Sequence, residues 1–318
     1  MTISTLLNTS AQKYRKQLLS LPSVGIAEAV KYMTPRPGVT YKETVGSLTG
    51  TMQLRPYDGA INAGTNIGIG ERTLETFLGS CVESFDPNGL SQTLWAQLQA
   101  HSGQIVDADM NKAILFKIMD SILNKLNASL FSGVRNGSGT TTADLFNGFD
   151  TITAADIAGT PKISLGLGNY KAIETITNVN AVEILKGAYR AASDELKGIK
   201  TQMLVPYSVW EAYCDDYLTT VGAAPYNNQF EQTFLMGTNR MCEIIPLVSK
   251  ANSTYIHLTT KENLLYGYGS GVEQEQLEVR RGDNPFLLQF VLTMFFGVQF
   301  ETVDAKRLLV AEIGAASS

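Results

Sequence analysis

Two histidines, His101 and His257, are all the imidazole in the chain, and they stand far apart. No HExxH, CxxC or Walker-type phosphate loop accompanies them. Cys81, Cys214 and Cys242 are too widely spaced for a zinc pattern, and an odd number gives no disulfide framework. A serine or cysteine nucleophile needs a base within reach, and no GxSxG elbow is present. In NIGIGERT, Gly68 and Gly70 begin a G-x-G-x-x-G pattern, but Thr73 stands in place of the third glycine. The run from Gly267 to Gly271 follows an apolar stretch, yet no helix of dinucleotide-binding type opens after it. The carboxylate pairs Asp215/Asp216 and Glu71/Glu75 read as solvated faces, and Arg281-Gly282-Asp283 as a turn between strands. Trp210, Tyr213 and Tyr217, spaced i, i+3 and i+7, read as a helix core stripe, with Cys214 beside them in the core. The expectation is therefore no catalytic residue, no cofactor and no metal.

Composition narrows the classes further. The 318 residues, 44% hydrophobic and 17% charged, suffice for one large or two ordinary globular domains. The charged fraction is below the usual ~25%, which suits a surface partly covered by partners. Net charge is −5, with no lysine and arginine cluster dense enough to track a phosphate backbone, so sequence-specific nucleic-acid binding is not expected. The first twenty residues lack the charged-then-apolar order of a signal peptide, so the four N-x-S/T matches at Asn8, Asn127, Asn136 and Asn252 read as chance and a reducing compartment fits. The most apolar stretch, FLLQFVLTMFFGVQF from Phe286 to Phe300, falls short of the ~20 residues of a membrane-spanning helix. It alternates with period two and predicts a long buried strand, with Gly297 as a bulge or bend.

The elements follow in order. Residues 3–20 and 24–33 read as helices, stopped by Pro35-Arg36-Pro37-Gly38. Residues 39–73 are rich in Gly and Thr, alternate weakly and carry turn signals at Gly46, Gly50 and Asp58-Gly59, which predicts a long β-hairpin without its own core. Residues 74–85 predict one strand. Met110, Ile114, Ile118, Ile122, Leu126 and Leu130, with Leu115, Met119 and Leu123 beside them, predict a helix over 108–131, about 36 Å long. Further on, the reading is helix over 179–196, strand over 202–206, helix over 207–219, and strands over 243–248 and 254–258. A helical turn over 259–265, a strand pair over 274–281 and 286–303, and a last strand over 305–313 complete it.

This order of parts resembles the major capsid proteins of tailed bacteriophages, the Hong Kong 97-like fold. The resemblance rests on order and length, on TQMLVPYSVWEAYCDDYL, and on RRGDNPFLLQFVLTMFFGVQFETVDAKRLLVAEI near the end. It implies an α+β fold with an N-terminal arm (1–38), an extension-loop hairpin (39–73) and a peripheral domain (74–139) holding a spine helix (108–131). An axial domain (140–285) would follow, and C-terminal strands (286–318) would return to the peripheral domain. It implies a non-enzymatic shell subunit, assembled in the host cytoplasm and resident in the virion. The subunit would form hexamers and pentamers, work with scaffolding and portal proteins, enclose nucleic acid without sequence-specific binding, and have no membrane contact. Assembly contacts are expected at Tyr41, Lys42, Arg55, Tyr57, Asp58, Glu71 and Arg72. The long charged scaffolding segment of some members has no counterpart in residues 1–38. The loop-lysine cross-link of others is not carried over to Lys42, which has no assignable partner. Three alternatives stay open: an encapsulin-type compartment shell, a phage tail protein, and an α/β enzyme with an unrecognised site.

Overall fold

The computed structural model describes residues 9, 11–14, 30–49, 68–86, 107–160, 162–221, 234–269, 273–281, 284 and 287–315. Residues 9 and 11–14 are helical; the rest of the expected 3–20 helix, and most of the 24–33 helix, lie outside the described residues.

The chain enters through β1 (Thr34–Pro37) and β2 (Lys42–Thr49), then β3 (Gly68–Glu75) and β4 (Phe77–Phe85). The long helix α1 (Asp107–Ser132) leads to α2 (Phe149–Ala158) and β5 (Tyr170–Ile173). Next come α3 (Ala181–Ala191), α4 (Asp194–Lys197), β6 (Thr201–Pro206), α5 (Tyr207–Val221), β7 (Cys242–Leu247) and β8 (Tyr255–Thr259). The last strands are β9 (Leu264–Tyr268), β10 (Leu277–Arg281), β11 (Leu288–Phe300) and β12 (Leu308–Ile313).

Two five-stranded sheets organise the molecule. In the first, β11 is the hub: it pairs antiparallel with β4, β9 and β10, and β1 lies parallel on β9. Pro35 and Pro37 lack an N–H, which only such an edge strand tolerates. In the second, the order is β5-β12-β8-β6-β7. All six residues of its strand β6 are buried, as expected for a strand covered on both faces.

The apolar stripe of α1 drives its packing. Leu115, Met119, Leu123, Leu126 and Leu130 are buried at steps of four and three, while Lys117, Asp120 and Lys125 face solvent. The stripe meets one face of β11 through an aromatic lattice in which Phe146 packs edge-on to Phe296 and Phe149 edge-on to Phe300. Each such fully buried apolar side chain contributes about 1.5–3 kcal/mol. A second core, under α3 and α5, covers the other sheet with Leu185, Met203, Val205 and Tyr213.

Several elements differ from the sequence reading. The expected strand 74–85 breaks at Thr76, whose N–H donates to Tyr41 O (2.8 Å) and whose hydroxyl donates to Val39 O (3.2 Å). This buried threonine passes the chain from the hairpin into the first sheet. Helix 179–196 breaks after Ala191, where Ser193 caps α4 by accepting from Leu196 N. The helical turn expected over 259–265 is confined to Lys261–Asn263, and strand β9 starts at Leu264; Gly267 is there because a Cβ would lie 2.8 Å from Thr76 Cγ2. Gly297 makes no bulge: β11 runs unbroken through it, and any side chain would strike the backbone of Glu75 and Thr76.

The sheets also do not divide at residue 285. Strands β9 and β10 join the first sheet, and Phe146 and Phe149 pack with α1, although all fall within the expected 140–285 axial domain. Conversely β12, expected to return to the peripheral domain, inserts between β5 and β8 of the second sheet, with Leu309 and Ala311 in its core. Length alone could not reveal this crossing, since both sheets accept apolar strands of the same period.

Candidate assembly surface

The hairpin made by β2 and β3 pairs from Lys42↔Glu75 to Thr49↔Gly68. Its base is built into the body: Val39, Val45 and Leu74 bury against Leu265 of β9 in a four-residue cluster. The body therefore claims the base of the hairpin.

The residues expected to make assembly contacts fall into three groups. Arg55, Tyr57 and Asp58 lie outside the described residues. Tyr41 and Lys42 sit at the start of the hairpin and Glu71 on β3, all exposed. Tyr41 adopts a positive φ of 69° and packs its ring edge-on to Phe295 at 5.0 Å while remaining 57% exposed. Lys42 pairs with Glu75 across the strands at 2.7 Å in open solvent, a bond worth little to stability.

Arg72 is different. Its Nη2 donates to Asp156 Oδ2 on α2 (2.8 Å) and to Gln299 Oε1 on β11 (2.9 Å), and its side chain is only 10% exposed. Gln299 Nε2 in turn donates to Thr73 O (3.0 Å). These bonds fasten the hairpin base to the body, so Arg72 is engaged within its own chain. Beside it opens a shallow cleft of about 350 Å³, bordered by Glu71, Lys162, Leu167 and Asp304. Leu165 and Leu167, 73% and 55% exposed, project from the adjoining loop, and Leu78 and Val82 from the outer face of β4. Exposed leucines grouped at a cleft rim are the kind of surface that a partner covers.

Outside this surface the polar groups serve the fold. Asp216, read as solvated, is buried and accepts from Val182 N (2.7 Å), capping the first turn of α3. All three cysteines are free thiols, and burial pushes each pKa up, Cys242 to about 12. Sequence reasoning missed one cluster entirely: Lys250, Asp150 and His257 meet in the interior although 100 residues separate the first two. Nothing in their spacing signals it. Among the described residues no group of three or more metal-binding side chains occurs, and no helix is long and apolar enough to cross a membrane.

No protein-family model matches the sequence, and no curated protein matches it. Solved structures do. A chain of the capsid of the native GTA particle superposes with a TM-score of 0.59 at 12% identity, covering 91% of each chain. A chain of the satellite phage P4 procapsid, solved with the size determination (Sid) protein, gives 0.53 at 12% identity over 98% of this chain and 91% of its own. A chain of Mycobacterium phage Adephagia gives 0.52 at 10% identity, over 90% and 89%. The mixture of helices and sheets, in one order over nine-tenths of the chain, is the α+β Hong Kong 97-like capsid fold.

Proposed function

We propose that this chain is a major capsid protein, a structural rather than enzymatic subunit that builds the icosahedral head around a phage genome. One observation carries the reading: the likeness to capsid subunits covers 91% of the chain rather than one motif. The hairpin supports it: the four-residue cluster at its base belongs to the body, and its extension over residues 50–67 carries few large apolar side chains in the sequence. A neighbouring copy lying under that extension would supply the missing burial and backbone partners. Head-to-tail repetition of one contact closes into rings, here hexamers and pentamers.

In this reading residues 39–73 are the extension loop, α1 is the spine helix, and the second sheet with α3 and α5 forms the bulk of the axial domain. Tyr41, Lys42, Glu71 and the loop residues Arg55, Tyr57 and Asp58 face neighbours, whereas Arg72 sets the loop's angle on the body. The shell assembles in the host cytoplasm with scaffolding and portal proteins and becomes part of the virion. Its net charge of −5 lets it enclose a genome that must later leave; tight DNA binding by the empty shell at low salt would contradict that role.

The test is negative-stain electron microscopy and sedimentation of the purified chain, alone and co-expressed with its neighbouring phage genes. Closed shells, or free hexamers and pentamers, support the proposal; tubes or an invariant monomer overturn it. Replacing residues 50–67 by a short turn should leave a folded subunit that no longer assembles. The cut must spare Val39, Val45 and Leu74, because these are body core.

A further inference from the structure

Lys250 is completely buried. Its Nζ lies 3.1 Å from Asp150 Oδ1 on α2, 3.1 Å from His257 Nδ1 on β8, and 4.2 Å from the centre of the Phe131 ring on α1. Asp150 is 15% exposed and His257 fully buried. The rings of Phe131 and Phe300 flank the imidazole at 6.1 and 5.6 Å. The tautomer follows from the bonds. Thr153 Oγ1 spends its one hydrogen on Phe149 O (2.8 Å), so at 2.9 Å from His257 Nε2 it accepts, and Nε2 carries the proton. His257 Nδ1 is then a bare lone pair aimed at the lysine amine. Burial lowers the pKa of Lys250, opposed by Asp150, and lowers that of His257 well below its usual value, with Lys250 adding to the effect. An amine, a carboxyl group and a neutral base are thus held together, with only the carboxyl group partly exposed.

We propose that Lys250 and Asp150 join in an intramolecular isopeptide bond, with His257 carrying the proton. The reaction draws its protons from the pair itself, Nζ passing one to the carboxyl group to leave an amine and a carboxylic acid. The Nζ lone pair attacks Asp150 Cγ and a C–N bond forms. His257 Nδ1 takes a proton from the nitrogen and returns it to the departing hydroxyl, the C–O bond breaks, and one water leaves. Nothing is oxidised or reduced, and no co-reactant is needed. The bond ties α2 to the segment before β8, closing a loop of about 100 residues, where covalent closure constrains the unfolded chain most. The proposal does not depend on the capsid reading, since it concerns the folded subunit alone.

Intact-mass spectrometry of the full, folded chain tests it. The expected mass is one water below that of the sequence, with a branched peptide joining the segments around Asp150 and Lys250 after proteolysis. Lys250→Arg should restore the full mass, and His257→Gln should slow the loss of water at least tenfold in freshly folded protein. A folded wild-type chain at full sequence mass overturns the proposal and leaves an ordinary buried ion pair. So does a water loss that maps to Asp58-Gly59, where an aspartyl-glycine step can dehydrate on its own. Bond formation at the wild-type rate in His257→Gln would overturn the role given to the histidine.

Discussion

Replacing Gly297 by alanine asks how tightly the hub strand is held. A Cβ at this position would overlap the carbonyl oxygen of Glu75 and lie 3.0 Å from its carbonyl carbon and 3.1 Å from Thr76 Cα. The overlap is well inside the roughly 3.3 Å at which a carbon and a carbonyl oxygen first touch. All three atoms are backbone at the β3–β4 junction, which the Thr76 bonds to Tyr41 and Val39 pin in turn. No side chain can swing away, so β11 must retreat, loosening Phe296 and Val298 on either side. Overpacking ordinarily costs about 1–3 kcal/mol, and a backbone obstacle puts this case near ~3. For a 318-residue chain, at about 2.1 cal/mol/K of unfolding entropy per residue, that lowers the Tm by roughly 4–5 °C. The control is Gly187→Ala in the middle of α3, where nothing stands within 4 Å of the new methyl group. There the helix should gain about 0.5–1 kcal/mol. Thermal unfolding of unassembled subunits, followed by circular dichroism, measures both. A Gly297→Ala variant melting within roughly 2 °C of the parent would refute the packing argument.

Removing Arg72 as alanine leaves Asp156, 11% exposed, without its partner and should cost about 2–4 kcal/mol, with faster amide exchange in β2 and β3. Unchanged exchange there would mean that Arg72 does not hold the hairpin. Tyr213→Phe deletes the hydroxyl that accepts from Met236 N (2.9 Å) and should cost about 1–3 kcal/mol in urea unfolding. At alkaline pH, burial pushes the Tyr213 hydroxyl and the Cys242 thiol up to about 12, from ordinary values of 10.0 and 9.0. Their contribution is complete below pH 9 and lost as pH rises toward 12, so unfolding midpoints should fall across that window, with delayed tyrosinate absorbance. On the acid side, unfolded His257 gains a proton that the folded site refuses. Stability should therefore fall as pH drops below about 6.5, and His257→Gln should flatten that slope.

Period and punctuation made much of the fold legible. The stripe from Leu115 to Leu130 placed α1 to within a residue at each end, and the alternation after Leu288 placed β11. What stayed hidden was pairing. Strand β9 carries Gly267 and is followed by Gly269, which look like loop punctuation, but Gly267 answers to Thr76 and Leu74, almost 200 positions earlier. Strand β12 alternates no differently from β11, so no local signal says that it joins the other sheet. In the candidate surface, polarity and glycine content marked the hairpin as lacking a core, but could not show that Arg72 is committed to Asp156 and Gln299. The Lys250 cluster was invisible for the same reason: a buried charge is recognised by its surroundings, and those come from α1, α2 and β8 together.

The place of β11 sets a timetable for synthesis. Its partner β4 leaves the ribosome about 200 residues ahead of it, and at about 5–20 residues per second that is a wait of roughly 10–40 s. Through that interval β4 carries the outward-facing Leu78 and Val82 with no strand beside it, and β1 waits as long for its partner β9. The nascent chain is most adhesive when it is least able to recognise its own kind. A chaperone that shields β4 until residue 300 has emerged would raise the yield of soluble subunit without touching the finished fold.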